Sequence, residues 1–322
     1  MTLPSTAGFH SVEDCHLPDL VGILEAEAAA LDPAAYPLAA RIESGVLLYD
    51  AAALRERLVT DADRQALCAE LARAYADGPG ITVFQGAFEH DVLDRVSAAF
   101  QRLIDDEKAA GAAAGDHFAA PGANDRVWNA LEKLALLDPE AFVDYYANDI
   151  VSWAASAWLG PGYQVTSQVN VVNPGGAGQT VHRDYHLGFQ DPKVSATFPA
   201  HVHALSAALT LQGAVAHVDM PFASGPTLYL PHSQKYPQGY LAYWLPEFQD
   251  WFGGHHVQLP LAKGDAVFFN PALFHAAGTN RTSDIRRMAN LLQISSPFGR
   301  AMETVDRRRV VGLAVVLAAT GA

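Results

Sequence analysis

The sequence predicts a mainly β protein with a helical N-terminal part, in which a jelly-roll core is packed by α-helices. The first half of the chain is rich in Ala, Leu and Glu at helical spacing, and from residue 163 onward short runs of Val, Thr, Tyr and Phe are divided by Gly, Pro and Asn. Many short strands at regular spacing are typical of a sandwich or barrel of the jelly-roll kind. Helices first and strands later, without βαβ alternation, argue against a doubly wound fold.

The helical part is expected over residues 1–160. Segments with helical spacing are 11–31, 51–80, 89–110 and 127–160, with one strand at 81–88. Residues 111–126, which are rich in Gly and Ala, have the composition of a loop and are a candidate mobile lid.

The predicted jelly-roll core covers residues 161–300, and a C-terminal helical segment is expected over 301–322. Together with residues 1–160 they form one predicted domain, 1–322. The strands of the core are expected at 163–173, 180–186, 202–212, 227–233, 255–261, 265–271, 273–279 and 286–295.

Composition limits the partners and the compartment. The net charge of −14, from 21 basic and 35 acidic residues, disfavours nucleic acid as a partner. Cys15 and Cys68 are the only cysteines, too few for a disulfide framework or a Cys-rich zinc site. The N-terminus has no signal-peptide pattern, and the longest apolar run, 310–319, is too short for a bilayer, which takes roughly 20 residues. We therefore expect a cytoplasmic protein that binds neither membrane nor nucleic acid.

The stretch 179–189, "QTVHRDYHLGF", contains a candidate metal site. In a strand, side chains at i and i+2 point to the same face, so His182 and Asp184 would converge on one point. Two histidines and one carboxylate on one face suit non-haem Fe(II), and the second histidine would come from a distant strand. A second His-x-Asp triplet, His217 and Asp219, has the same pattern. Either could also be a pair of polar groups at a strand end.

Four ordered elements carry a resemblance to a known family. They are His182-x-Asp184, the stretch 225–233 "GPTLYLPHS", His275, and Arg286 eleven residues after it. In this order they resemble the phytanoyl-CoA dioxygenase-like branch of the Fe(II)/2-oxoglutarate oxygenases, over roughly residues 81–300. The resemblance implies a double-stranded β-helix core of the cupin-like kind and the cofactors Fe(II), 2-oxoglutarate and O2.

The resemblance also assigns roles around the metal. It implies that His182, Asp184 and His275 bind iron, because the Gly-Pro stretch follows Asp219 closely and so leaves His217 and Asp219 outside the site. It implies that Arg286 pairs with the distal carboxylate of 2-oxoglutarate, with Arg287 on the opposite face as the rival. Further contacts to 2-oxoglutarate are expected from polar residues beside these motifs, namely Gln168, Asn170 and Thr279, with Asn280 as an alternative to Thr279.

Two departures from the family pattern concern the same region. The family often has Ser two residues after the distal histidine, where this chain has Ala277, so one hydrogen bond to 2-oxoglutarate is missing or comes from elsewhere. The stretch "PHSQ" at 231–234 stands where many relatives have Pro-Gly-Ser-His, which predicts a different loop.

The substrate side is expected to be a small-molecule site. In the resembling family the helical region before the barrel covers the mouth of the active site, which makes Arg126, Trp128 and Asn129 candidates, with His186 as a further contact. The alternative for 124–129 is a helix cap at Asn124 or Asp125 followed by a core Trp.

The predicted function is that of a dioxygenase that hydroxylates a small metabolite and releases succinate and CO2. Asp184 favours hydroxylation, because halogenating relatives have a small residue at that position. The alternatives are a cupin-like barrel that binds a metal or ligand without oxygenase activity, and a zinc isomerase or hydrolase. Consumption of 2-oxoglutarate with O2 would distinguish the oxygenase from both.

Overall fold

A computed structural model describes residues 8–111 and 124–320, so most of the loop predicted at 111–126 lies outside the described residues. The helices are α1 Leu17–Ala30, α2 Ala51–Arg57, α3 Asp61–Ala76, α4 His90–Ala109, α5 Ala130–Leu137, α6 Pro139–Tyr146, α7 Asp149–Leu159, α8 Pro192–Ser195, α9 Ala200–Ala208, α10 Gly239–Ala242, α11 Pro246–His255 and α12 Arg307–Thr320. The strands are β1 Arg41–Glu43, β2 Val46–Asp50, β3 Ile81–Gln85, β4 Asn124–Val127, β5 Gln164–Val172, β6 Thr210–Ala216, β7 Leu228–Leu230, β8 Val257–Gln258, β9 Ala266–Phe269, β10 Phe274–Ala276 and β11 Arg287–Ser295.

The described strands form one large and one small sheet. The large sheet has eight strands in the order β1-β2-β3-β9-β6-β11-β5-β4, and the small sheet has three in the order β10-β7-β8. Only β2 and β3 pair in parallel; the other pairs are antiparallel. The architecture is mixed α/β with a large β-sheet. The jelly-roll topology and the single-domain division of the chain remain predictions.

Side-chain alternation along β11 separates the two faces of the large sheet. Met288, Leu292 and Ile294 belong to the main hydrophobic core, which the N-terminal helices cover. Ala289 and Leu291 line a cavity on the other face. The sheet thus divides the packed helical layer from the cavity that contains the candidate site.

Helix ends in the N-terminal half follow local capping rules. Thr60 and Asp63 form a capping box at the start of α3. The Asn148 side chain accepts hydrogen bonds from the N–H groups of Ile150 and Val151 at the start of α7. These caps satisfy amides that the helices leave without partners, and they fix where α3 and α7 begin.

Several predicted elements differ from the structure. Residues 180–186 form no strand, because Tyr185 and His186 have φ of 63° and 51°, and only an isolated bridge at His182 remains. Residues 202–208 lie in α9, because Ala-rich sequence after Pro199 favours a helix over the alternation that suggested a strand. Residues 124–127 are strand β4 rather than a helix cap, and β1 and β2 lie within the part expected to be helical.

The apolar run 310–319 lies in α12. Val310 is buried, whereas Val311 and Val315 are more than half exposed. None of the helices that the structure describes has the length and apolar character needed to cross a bilayer.

Candidate metal centre

His182, Asp184 and His275 lie together at the rim of the small sheet. Each offers one ligand atom, and these atoms lie within 4.8 Å of one another. Asp184 Oδ1 is 3.8 Å from His182 Nε2, and Asp184 Oδ2 is 3.3 Å from His275 Nε2. Within residues 8–111 and 124–320, no other group of three or more His, Cys, Asp or Glu side chains is arranged to hold a metal ion.

Backbone contacts position the three side chains. His275 is the middle residue of β10, and an isolated antiparallel bridge pairs it with His182. The N–H of Asp184 donates to the carbonyl of Pro271 at 3.0 Å. The three side chains therefore come from two adjacent segments, although 91 positions separate Asp184 from His275.

Both imidazoles present the same nitrogen to the centre. His182 Nδ1 is 2.8 Å from the carbonyl of Thr180, and His275 Nδ1 is 2.9 Å from the carbonyl of Leu273. A carbonyl only accepts, so each Nδ1 carries a proton, and Nε2 is the ring nitrogen left to face Asp184. This is the state in which a histidine binds a metal, with its other nitrogen held by a backbone group.

The third donor, Asp184, is held in its charged form. Burial by itself raises the pKa of this carboxyl, but the nearby His182 and hydrogen bonds from His275 and Gln212 outweigh it and hold the pKa well below its usual range. Gln212 Nε2 donates to Asp184 Oδ2 at 2.5 Å. Two imidazole nitrogens and an ionised carboxylate beside an open cavity are the donor set expected for non-haem iron.

The second His-x-Asp triplet lies apart from these three side chains, and both of its side chains have hydrogen-bond partners. His217 Nδ1 contacts Ser97 Oγ at 2.8 Å, and its Nε2 contacts Tyr145 OH at 2.9 Å. Asp219 Oδ1 accepts from the N–H of Lys263. Burial lowers the pKa of His217 to about 3, so this ring is neutral. The prediction that His217 and Asp219 lie outside the site agrees with this placement.

A cavity of about 390 Å³ opens beside the three side chains. Its wall includes the inward faces of β5, β6, β9 and β11. Among the described residues that line it, Asp184 is the only acidic one. Two arginines, Arg126 and Arg287, line it as well. The arrangement suits a metal ion and an anionic ligand side by side.

The prediction that Arg286 points into the barrel and Arg287 away from it is wrong. Arg287 is only 6% exposed and lines the cavity. The Arg286 side chain is 45% exposed and pairs with Asp125 at 3.2 Å on the outside. The reason is the phase of the strand: Arg287 shares its face with Ala289 and Leu291, which also line the cavity.

Arg287 is a buried cation with unused donors. Its Nη1 donates to the carbonyls of Ser224 and Gly278, each at 3.0 Å. Burial lowers its pKa to about 10, so it stays charged at neutral pH. Among the described residues no acidic side chain forms an ion pair with it. A carboxylate ligand would provide the missing partner.

The other residues expected to contact 2-oxoglutarate divide into two groups. Gln168 and Asn170 line the cavity, and Gln168 Oε1 accepts from Arg126 Nε at 3.0 Å. Thr279 is outside the cavity lining, and its Oγ1 accepts from the N–H of Gly178. Asn280 is buried and donates to three backbone carbonyls, so it holds a turn.

The substrate candidates divide in the same way. Arg126 and Trp128 line the cavity, with the Arg126 guanidinium 4.8 Å from the centre of the Trp128 ring. Asn129 and His186 are not part of its lining. Asn129 contacts Glu303 and Thr304, and His186 Nε2 contacts Thr210 Oγ1 at 3.4 Å. Regular strand alternation would place His186 on the face of His182 and Asp184, but the chain turns at Tyr185, so His186 does not share that face.

Sequence reasoning missed several residues of this cavity. Tyr185 would point away from the metal in a regular strand, but its φ of 63° turns it into the lining. Gln212, Tyr229 and Gln293 also line the cavity. Alternation along β6 and β11 places Gln212 and Gln293 on one face of each strand. The sequence alone does not say which face of the sheet lines the cavity, so it could not assign them to the site.

The comparisons with known proteins agree with this geometry. The family model of phytanoyl-CoA dioxygenase (PhyH) matches residues 76–288, which is more than half of the chain. The chain belongs to the PhyH family. The family resemblance drawn from the sequence is thus confirmed, and a potential His-Asp-His iron site is present in this PhyH protein. A search of curated proteins finds no match.

Two of the solved structures that match, SnoK and AviO1, share the fold, and a third is similar over a comparable length. The alpha ketoglutarate-dependent carbocyclase SnoK from nogalamycin biosynthesis is 21% identical, covering 70% of this chain and 83% of its own, with a TM-score of 0.52. AviO1 from Streptomyces viridochromogenes Tue57 is 19% identical, covering 76% and 100%, with a TM-score of 0.50. The epimerase SnoN, in complex with Fe3+, alpha ketoglutarate and nogalamycin RO, is 18% identical, covering 72% and 84%, with a TM-score of 0.49.

Proposed function

We propose that this PhyH protein is an Fe(II)/2-oxoglutarate-dependent oxygenase that acts on a small molecule. The observation that carries the proposal is the shared cavity: His182, Asp184 and His275 meet at one end, and the buried cation Arg287 lines the same space. A cupin-like protein that only binds metal would have no use for Arg287. The neighbour SnoK is described as alpha ketoglutarate dependent, which supports the same cofactor.

The residues of the site have distinct tasks. His182 Nε2, His275 Nε2 and Asp184 would hold the iron, which supplies activation of O2 coupled to oxidation of 2-oxoglutarate to succinate and CO2. Backbone carbonyls fix both imidazole rings, so the donors are oriented before a metal arrives. Arg287 would pair with the distal carboxylate of 2-oxoglutarate. Apolar residues such as Val267 and Phe269 line the same cavity.

We further propose hydroxylation as the outcome. Asp184 supplies the carboxylate of the ligand set. It therefore fills the coordination position that a halide would need. The carbocyclase and the epimerase among the structural neighbours mark the competing outcomes, ring closure and epimerisation.

The test is a screen of small metabolites with the iron-loaded protein, 2-oxoglutarate and O2. A substrate should give one succinate per hydroxylated product, with the new oxygen derived from O2 and no change on adding chloride. A chlorinated product, or a product formed without 2-oxoglutarate, would contradict the proposal. Ring closure or epimerisation with consumption of 2-oxoglutarate would contradict only the hydroxylation step.

A further inference from the structure

We propose that Gln212 is a positioning residue for the metal ligand Asp184, holding one carboxylate oxygen so that only the other is offered to the metal. This inference rests on the proposed function. Gln212 lies in β6, in the interior of the large sheet, and its side chain enters the cavity. Its Nε2 donates to Asp184 Oδ2 at 2.5 Å.

The orientation of the amide is determined by its partner. An ionised carboxylate only accepts hydrogen bonds, so Gln212 must present its NH2 group to Asp184. The amide oxygen of Gln212 is buried and has no hydrogen-bond partner among residues 8–111 and 124–320. The side chain therefore leaves its own acceptor unsatisfied while it donates to Asp184, which indicates that the contact with the carboxylate determines its position.

The two carboxylate oxygens of Asp184 have different contacts, and this difference affects how the carboxylate can bind a metal. Oδ1 faces His182 Nε2 at 3.8 Å, whereas Oδ2 lies 3.3 Å from His275 Nε2 and is the oxygen to which Gln212 donates. A carboxylate that gave both oxygens to one ion would occupy a further coordination position. Chelation of a 2-oxo acid and access of O2 need the positions that the three protein ligands leave open. Gln212 thus favours a single-oxygen contact by Asp184 and fixes the carboxylate plane.

Gln293 offers a matched control. It pairs directly with Gln212 across β6 and β11, has the same side chain and lines the same cavity. Its Oε1 accepts a hydrogen bond from Thr166 Oγ1 on the neighbouring strand at 3.5 Å, and its side chain also contacts Tyr185. Among the hydrogen bonds of the described residues, none joins Gln293 to Asp184. Gln293→Met and Gln212→Met therefore make the same chemical change on adjacent strands, and only one of them removes the donor to the ligand.

The experiment titrates the apo protein anaerobically with Co(II), reading the dissociation constant and the ligand-field spectrum. Gln212→Met should bind Co(II) about tenfold more weakly or worse, as is typical when a partner of a metal ligand is removed, and its spectrum should change. Gln293→Met should match the wild type in both. Thermal unfolding of the apo forms checks that both variants are folded. If Gln212→Met is not folded, Gln212→Asn serves instead, because its shorter side chain withdraws the donor.

Two results would overturn the inference: wild-type Co(II) affinity and spectrum in Gln212→Met, or an equal loss in both methionine variants. A different result would overturn the proposed function, namely Co(II) binding that is unchanged from wild type when His182 and His275 are replaced. The spectrum separates positioning from general stability, because a purely structural defect would lower the melting temperature without changing the metal's ligand field.

Discussion

His182 and His275 exchange a pair of backbone hydrogen bonds. The N–H of His182 donates to the carbonyl of His275 at 2.9 Å, and the N–H of His275 donates back at 3.1 Å. Their rings lie with centres 4.4 Å apart. The main chain thus brings the two imidazoles together, so either side chain can be removed without removing the bonds that join the segments.

The two adjacent arginines give a direct test of cosubstrate binding. We expect Arg287→Met to raise the half-saturating concentration of 2-oxoglutarate about 10- to 100-fold, since charge-assisted hydrogen bonds are worth about 1.5–3 kcal/mol. Arg286→Met is the matched control and should leave that concentration unchanged, because Arg286 is exposed and faces away from the cavity. Titration of 2-oxoglutarate into the Mn(II)-loaded variants measures both. The reverse ranking would restore Arg286 as the anchor.

A second prediction concerns Arg183, the residue between two metal ligands. It is buried, and its Nη2 donates to the carbonyls of Ser233 and Tyr236 at 2.6 and 3.0 Å. A Cβ added at Gly239 would lie 1.9 Å from the Arg183 guanidinium carbon. Gly239→Ala should therefore lower the free energy of unfolding by about 1–3 kcal/mol, the usual cost of overpacking.

The cost should depend on Arg183. In an Arg183→Met background the clash is relieved, so Gly239→Ala should cost much less, and chemical denaturation of the four proteins of this cycle measures the coupling. Simple additivity of the two substitutions would show that the guanidinium and Gly239 are not in contact.

His217 predicts a loss of stability in mild acid. Its pKa is lowered to about 3 in the folded protein from the ordinary histidine value of 6.5, because burial opposes the charged ring. Between these values the unfolded chain binds the proton and the folded chain does not, so stability falls as the pH drops below about 6.5. The contribution is at most about 1.4 kcal/mol per pH unit for one proton.

His217→Gln should reduce that slope by about one proton, measured by urea denaturation between pH 4 and 7. Asp219→Asn, in the same triplet, is the control and should leave the slope in this range close to wild type, because it keeps the buried His217 ring in place. An unchanged slope in His217→Gln would mean that the ring titrates in the folded protein as it does in the unfolded one.

Much of the site could be predicted from the sequence, because the motifs that mark it are short and follow one another along the chain in the family's order. The His-x-Asp triplet and a distal histidine in family order predicted the residues that the structure brings together. The long strands β5 and β11 were predicted from their apolar residues, which include four Val in the nine residues of β5 and two Leu and one Ile in the nine of β11.

The remainder depends on pairing between distant segments. The spacing from His275 selects Arg286 by analogy, but only the register of β11 with β5 and β6 decides that Arg287 faces the cavity. Gln212 and Asp184 meet across 28 positions, and no local pattern joins them. The positive φ of Tyr185 ends the alternation of side chains along this segment. A positive φ is uncommon for residues other than Gly, so the residue type does not predict it.

The measurement that tests the central claim most directly is the stoichiometry of anaerobic Fe(II) binding to the chelator-treated protein. The account predicts one Fe(II) per chain in the wild type, loss of this site in His182→Ala, His275→Ala and Asp184→Asn, and retention in Asp219→Asn, whose carboxylate belongs to the other His-x-Asp triplet. The backbone bridge between His182 and His275 should keep the alanine variants folded. One tightly bound Fe(II) in all three ligand variants, or none in the wild type, would contradict it.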